Sequence, residues 1–200
     1  LCLSEQVTQL LHLKDFPIYL HPVDQEEIKN ISGKHVINLN YDYCRSCNHA
    51  FQPHYDKHLL ESVYKFYYFT ETMPDFAISL INDCLNVIES NIVLTSENNK
   101  ILEIGSSSGD FLLNLKNRYP ASEVTGVDPN VENVEIANKK GCKTIQAFFN
   151  KKTALTFTDK YDFIVLRQVI EHIFDLDDFF SALVVVSNEK TQLIIETQSL

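Results

Sequence analysis

Two hundred residues suffice for one large domain or a medium domain with an appendage, and an apolar fraction of 44% suits a chain that buries a core. Lys and Arg number 17 against 27 Asp and Glu, a net charge of −10 that would repel a phosphate backbone and argues against nucleic acid as substrate. No apolar run reaches the ~20 residues that span a bilayer, and five cysteines without a secretory signal at the N-terminus predict thiols or metal ligands in a reducing cytoplasm.

From the N-terminus the chain is weakly patterned to residue 32. Val7, Leu10 and Leu11 suggest a short helix, and Pro17 and Pro22 interrupt the chain beyond it. From Val36 the pattern sharpens, as Ile37, Leu39, Tyr41 and Tyr43 alternate with Asn38, Asn40 and Asp42 in the period of a half-buried strand. This strand runs into Cys44-Arg45-Ser46-Cys47, a spacing that lets two thiolates share a tetrahedral Zn²⁺ at about 2.3 Å each. The same four residues also read as a metal-free turn. A redox role suits them less, since the motif opens no apolar helix. Cys2 is the candidate third ligand, and His12, His35, His49 and His54 are candidate fourths.

An aromatic run occupies Tyr64 to Phe69. These rings either pack between an appendage and the main domain, or send one tyrosine hydroxyl, from Tyr67 or Tyr68, into a ligand cleft. Beyond Pro74, Ala77, Leu80, Ile81, Cys84, Leu85 and Ile88 recur at helical spacing, with Asp75 as a cap. We place the domain junction before this helix, giving an N-terminal module over 1–72 and a core over 73–200.

The core is organised around residues 100–129. Lys100-Ile101-Leu102-Glu103-Ile104 reads as a buried strand, Gly105-Ser106-Ser107-Ser108-Gly109 as a tight loop, and Asp110 to Leu115 as the start of a helix. Glu123 to Val127 makes a second strand that delivers Asp128, 23 positions after Gly105. Nucleotide-binding βαβ units place a ribose-binding acid about 20 residues beyond such a loop. A helix from Val131 ends near Gly141, a third strand covers 143–145, a fourth 162–166 and a fifth 192–196, with a helix around Phe179, Phe180 and Leu183 between the last two. Strands alternating with helices specify a doubly wound, mostly parallel α/β sheet, whose ligands bind at the C-terminal ends of the strands. That edge collects residues 105–109, Asp128, 146–148 and 167–172. The loop lacks the middle glycine of GxGxxG, and glycines alone leave NAD and S-adenosylmethionine both open.

The residues around the loop resemble those of class I S-adenosylmethionine-dependent methyltransferases. Glu103 to Leu112 is similar to their first motif, Val127-Asp128-Pro129 to their second, and Tyr161 to Ile164 with Val169 to Ile173 to the motif at their fourth strand. The resemblance implies a Rossmann-like methyltransferase sheet. It assigns cofactor contacts to Glu103, Gly105, Ser106, Ser107, Gly109, Asp128, Pro129, Phe148 and Arg167.

Tyr41 to Cys47, Phe66 to Thr70, the loop from Gly105 to Gly109, Asp128-Pro129, Gly141 and Phe148-Phe149 carry a narrower resemblance, over residues 36–199, to sugar C-methyltransferases, which have an N-terminal zinc-binding module with two CxxC knuckles. It implies structural zinc on Cys2, Cys44 and Cys47, a nucleotide-linked deoxysugar as acceptor, and a module after the fifth strand holding a Glu-His pair. The missing first knuckle, the missing initiator Met and the end at Leu200 lead us to expect a trimmed chain or a degenerate homologue.

Transfer to carbon needs a base, and His172 is the candidate base or relay, with Tyr68 and Tyr67 behind it. Alternatively His172 bonds Asp175 or a backbone group at a helix start. Glu171, Asp175, Asp177 and Asp178 read as first-turn acids of a helix rather than a metal cluster. Besides a small-molecule C-methyltransferase, the residues admit an O- or N-methyltransferase, a non-catalytic S-adenosylmethionine-binding module, or an NAD oxidoreductase, which Ser107 and the Glu171-His172 segment disfavour.

Overall fold

The computed structural model describes residues 4–17, 36–54, 56, 58, 75–91 and 98–197. The chain divides into two compact units, 1–64 and 65–200; the junction expected at residue 72 lies outside the described residues.

In the first unit, β1 (Val7–Pro17), β2 (Val36–Cys44) and β3 (Ala50–Phe51) form an antiparallel sheet in that order. The short helix expected at Val7 to Leu11 is therefore a strand. Val7 lies opposite Cys44 and Pro17 opposite Val36, so a long partner supplies the backbone hydrogen bonds that one isolated turn of helix would leave marginal. Register shifts between Gln9 and Leu11 and between Leu13 and Phe16 break the two-residue period, and Asp15 takes φ 51° within the second. The alternation expected of β2 is muted: only Asn38 is exposed, and the residues around it are half-buried.

The second unit contains α1 (Asp75–Asn91), β4 (Lys100–Ile104), α2 (Asp110–Arg118), β5 (Glu123–Asp128), α3 (Val131–Lys139), β6 (Lys143–Gln146), α4 (Lys151–Ala154), β7 (Tyr161–Arg167), α5 (Leu176–Val186) and β8 (Ser187–Glu196). The five strands form one parallel sheet in the order β6-β5-β4-β7-β8. Side chains on opposite faces of each strand go to different helices. Leu102, Ile104, Ile164 and Leu166 pack with Phe179, Ala182, Leu183 and Val186 of α5. Ile101, Phe163 and Val165 pack on the other face with Ile81, Leu85 and Ile88 of α1 and with Phe111 and Leu115 of α2. Both faces are covered, which is why these strands read as continuous apolar runs. Each fully buried side chain such as Phe163 contributes about 1.5–3 kcal/mol.

From β4 the chain winds outward through β5 to β6, then returns to place β7 on the other side of β4. The order reverses between β4 and β7, opening a crevice at their C-terminal ends. α3 stops at Lys139, with Gly141 in the left-handed region at φ 83° as its C′ residue, as the sequence implies. β8 begins earlier than expected, but only Gln192 to Glu196 run in register with Phe163 to Arg167. Before that it bulges away, and the Thr191 hydroxyl donates to the Tyr161 carbonyl at 2.6 Å. Among the described residues no helix is long and apolar enough to cross a membrane.

Gly126 sits where β5 meets the loop and α2. A Cβ there would lie 2.5 Å from Ser106 Oγ and 2.6 Å from Leu112 Cδ1. Gly126→Ala should therefore destabilise the fold by about 1–3 kcal/mol, because buried neighbours must shift. Thermal unfolding followed by circular dichroism should show a melting temperature several degrees lower; an unchanged melt would mean the contact relaxes freely.

Candidate functional site

The crevice between β4 and β7 is built on the turn that leaves β4. The Gly105 and Ser106 amides donate to Val127 O at 2.8 and 3.2 Å, folding the loop back over the end of β5. Gly105 has φ 75°, and a Cβ on it would stand 2.4 Å from Val169 Cγ2, so both backbone and space demand glycine. Ser107 is left-handed at φ 46°, unusual for a residue with a side chain. Its amide is held at 2.8 Å by Asp128 Oδ2.

Asp128 ends β5, buried. Its Oδ1 accepts the Asn130 amide at 2.9 Å, and the Asn133 side chain also bonds it. Asn130 in turn caps α3 by accepting the Asn133 amide at 2.8 Å. Each carboxylate oxygen thus holds one main-chain donor, and with the Asn133 side chain three of about four lone-pair sites are taken, which leaves one for a further donor. Burial raises the acid above its ordinary range, opposed by the Asn130 and Ser107 amides and the Asn133 side chain.

Glu103 lies one strand over, 3% exposed, and its Oε2 has no hydrogen-bond partner among the described residues. The buried Ser106 Oγ has none either. Burial pushes the Glu103 carboxyl up to about 8; Arg167 pulls the other way, and Asp128 and Asp110 add to the rise. Asp110, at the start of α2, pairs with Lys140 Nζ at 2.8 Å.

The other expected residues divide. The Ala147 amide donates to Asp128 O at 3.0 Å and the Gln146 side chain to Pro129 O at 3.0 Å, which ties the segment carrying half-buried Phe148 to the end of β5. Arg167, expected among cofactor contacts, donates from Nε to Glu196 Oε2 at 2.9 Å, and its guanidinium carbon lies 4.6 Å over the Phe111 ring. His172 closes a 3₁₀ turn (Ile170–His172), exposed, with its amide on Val169 O at 2.9 Å. Asp175 caps α5 by accepting the Asp178 amide at 2.9 Å, and Asp177 and Asp178 fill its first turn, as read from the sequence.

Tyr67, Tyr68 and Cys2 lie outside the described residues. Cys44 is buried and Cys47 exposed on a tight turn, closed by the Asn48 amide on Cys44 O and the Cys44 amide on His49 O, both at 2.9 Å. His12 bonds Asn40, and His49 stacks on Phe51. Among the described residues no three His, Cys, Asp or Glu side chains gather to hold a metal ion. Sequence reasoning passed over Asn130 and Asn133, and took Val169 only as part of a motif and Glu196 only as the end of a strand. The signal for Glu196 was its place at the end of the last strand, in step with Arg167 at the end of the one before.

A parallel sheet that reverses its winding at a glycine loop, with an acid ending the next strand, defines the Rossmann-like class of cofactor-binding α/β domains. Within that class, the chain belongs to the methyltransferase-domain family, which matches residues 69–200. Coclaurine N-methyltransferase bound to N-methylheliamine and SAH shares 17% identity at a TM-score of 0.51, over 66% of this chain and 39% of that one. The plantazolicin methyltransferase BpumL, in complex with a triazolic desmethylPZN analog and SAH, gives 18% and 0.49 over 70% and 52%. A SAM dependent methyltransferase from Archaeoglobus fulgidus gives 17% and 0.48 over 58% and 52%. The likeness is one of fold, and the chain spans about half or less of the length of these structures. No curated protein matches the chain.

The state of Glu103 makes the site's electrostatics measurable. An ordinary glutamic acid ionises near 4.5, and this one near 8 when folded. Between those values the folded state holds a proton the unfolded state has released, so stability falls as pH rises through the window and levels off above it. Glu103→Gln should decline less between about pH 5 and pH 8, and should exceed the parent by roughly 1–4 kcal/mol at the alkaline end. Denaturant titrations across pH would show this; parallel curves for the two proteins would mean that Glu103 is ionised throughout.

Proposed function

We propose that this domain binds S-adenosylmethionine and transfers its methyl group to a small molecule. The carrying observation is the pair of buried carboxyls, Glu103 and Asp128, flanking a glycine loop, with one Glu103 oxygen unpartnered. A pyrophosphate would bring two more negative charges to this edge, whereas an ammonium or sulfonium brings the opposite sign. The residues fit such a group. Asp128 retains an acceptor site for a ribose hydroxyl, the loop at residues 105–109 starts on a Gly105 held without a side chain by the Val169 methyl, and Glu103 Oε2 awaits a donor. When bound, the sulfonium supplies an electrophilic methyl carbon. The protein's work is then alignment and exclusion of water, and holding donor and acceptor in line is worth ~7–11 kcal/mol.

For the acceptor, the finer reading is carbon methylation of a nucleotide-linked deoxysugar. Its support is the resemblance over residues 36–199 and the place of His172, exposed just beyond the C-terminal end of β7. There an imidazole can take a proton from an acceptor carbon; Tyr68 and Tyr67 are the next candidates for base or relay. Titration calorimetry should show S-adenosylmethionine and S-adenosylhomocysteine binding and NAD not binding. Asp128→Ala should weaken binding by about 2–4 kcal/mol, since it removes the ribose acceptor and the anchor of the Ser107 amide. NAD binding without S-adenosylmethionine binding would overturn the reading. Binding without methylation of a keto-sugar nucleotide by a chain extended past Leu200 would remove the sugar.

The hairpin turn of the first unit supports a second site. Two thiols three residues apart, on a turn closed through the left-handed Asn48 at φ 58°, suit half of a tetrahedral zinc site. The described residues do not supply the other half, and Cys2 is the proposed third ligand. Metal analysis of the purified protein should find about one zinc per chain; metal-free protein with the same thermal stability would remove zinc from the account.

A further inference from the structure

The exit of β7 is strained and pinned. Gln168 takes φ 55°, a left-handed conformation that costs a residue with a side chain. Three contacts at Glu196, the last residue of β8, oppose that cost. The Gln168 amide donates to Glu196 O at 2.8 Å, the Gln168 side-chain amide to Oε1 at 3.3 Å, and Arg167 Nε to Oε2 at 2.9 Å. Arg167 and Glu196 are register partners on neighbouring strands, so their side chains leave the same face. Arg167 is itself braced against Phe111, the second residue of α2. The next residue after the kink, Val169, puts its Cγ2 methyl into the space a side chain on Gly105 would need. The strained peptide thus aims a methyl group at the first residue of the glycine loop.

We propose that Glu196 is a positioning residue for that loop: its carboxylate and carbonyl hold Gln168 in its left-handed turn, which seats Val169 against Gly105 and fixes the back wall of the cofactor cradle. The ligand part of this inference rests on the function proposed above; the geometric part does not. Without the carboxylate only the main-chain bond to Glu196 O holds Gln168, so it leaves the left-handed conformation more often, Val169 withdraws with it, and the loop amides that bond Val127 and Asp128 open more often.

Two readouts test it. Amide hydrogen exchange at Gly105, Ser106 and Ser107 needs no ligand, and in Glu196→Ala it should quicken about tenfold. S-adenosylhomocysteine affinity, by calorimetry well below the melting temperature, should fall about tenfold in the same variant. A general loss of stability predicts neither a local change at the loop nor rescue by a distant residue. Glycine tolerates positive φ without a pin, so Glu196→Ala combined with Gln168→Gly should return both readouts to within about threefold of the parent. Should Glu196→Ala fail to fold, Glu196→Gln keeps an acceptor for the Gln168 side chain while losing the charge paired with Arg167. It should stay within about threefold in both readouts despite a lower melting temperature. Loop exchange unchanged in Glu196→Ala, or in the double variant as fast as in Glu196→Ala, would overturn the proposal. Failure of the parent to bind S-adenosylhomocysteine would instead overturn the proposed function, and the exchange data would still decide the role of Glu196.

Discussion

The hydrogen bond from the Ser107 amide to Asp128 Oδ2, at 2.8 Å, is the interaction on which the site depends. It joins the middle of a strained loop to the last residue of the neighbouring strand. Two consecutive turn amides already reach back to Val127 O, so the loop is stitched to β5 through three donors. Asp128 is stitched in turn to the start of α3 through Asn130 and Asn133. One buried acid therefore sets the loop, the helix start and its own orientation together. Its remaining acceptor site is preorganised, because none of these partners need move when a hydroxyl arrives.

Charge gives this edge its character. Glu103, Asp110 and Asp128 crowd the end of β4 and the loop, while the nearby cations are engaged in pairs, Lys140 with Asp110 and Arg167 with Glu196. Burial and the neighbouring acids raise the Glu103 carboxyl to about 8, so a further anion would deepen the crowding and a bound cation would relieve it. A buried neutral acid with an unpaired oxygen costs stability, and such costs persist where a ligand repays them.

The parallel sheet and the glycine loop were legible in the sequence because they depend on local chemistry. An apolar run, a glycine that must be left-handed, and an acid ending the next strand each carry their own reason. The first strand was not legible, because two bulges scatter Val7, Leu10, Leu11, Leu13 and Phe16 across both faces and erase the two-residue period. The four-residue helix α4 is too short to show a period at all. Arg167 reads from the sequence as a strand-end residue at the ligand edge, and its ion pair was not legible. Its partner, Glu196, is 29 positions away, and only the register of two parallel strands brings them together.

The position of β4 at the centre of the sheet also decides when the site can exist. Its neighbours are β5, about twenty residues on, and β7, whose Phe163 pairs with Ile101 across 62 positions. Gly105 meets Val169 across a similar span. Closing so long a stretch of chain is entropically slow, and parallel pairing offers no hairpin to nucleate it. A nascent chain displaying the glycine loop, the Asp128 strand and everything between them still lacks the back wall of the crevice. The crevice is complete only when the far strand docks, so folding of the sheet's centre and completion of the candidate site are the same event.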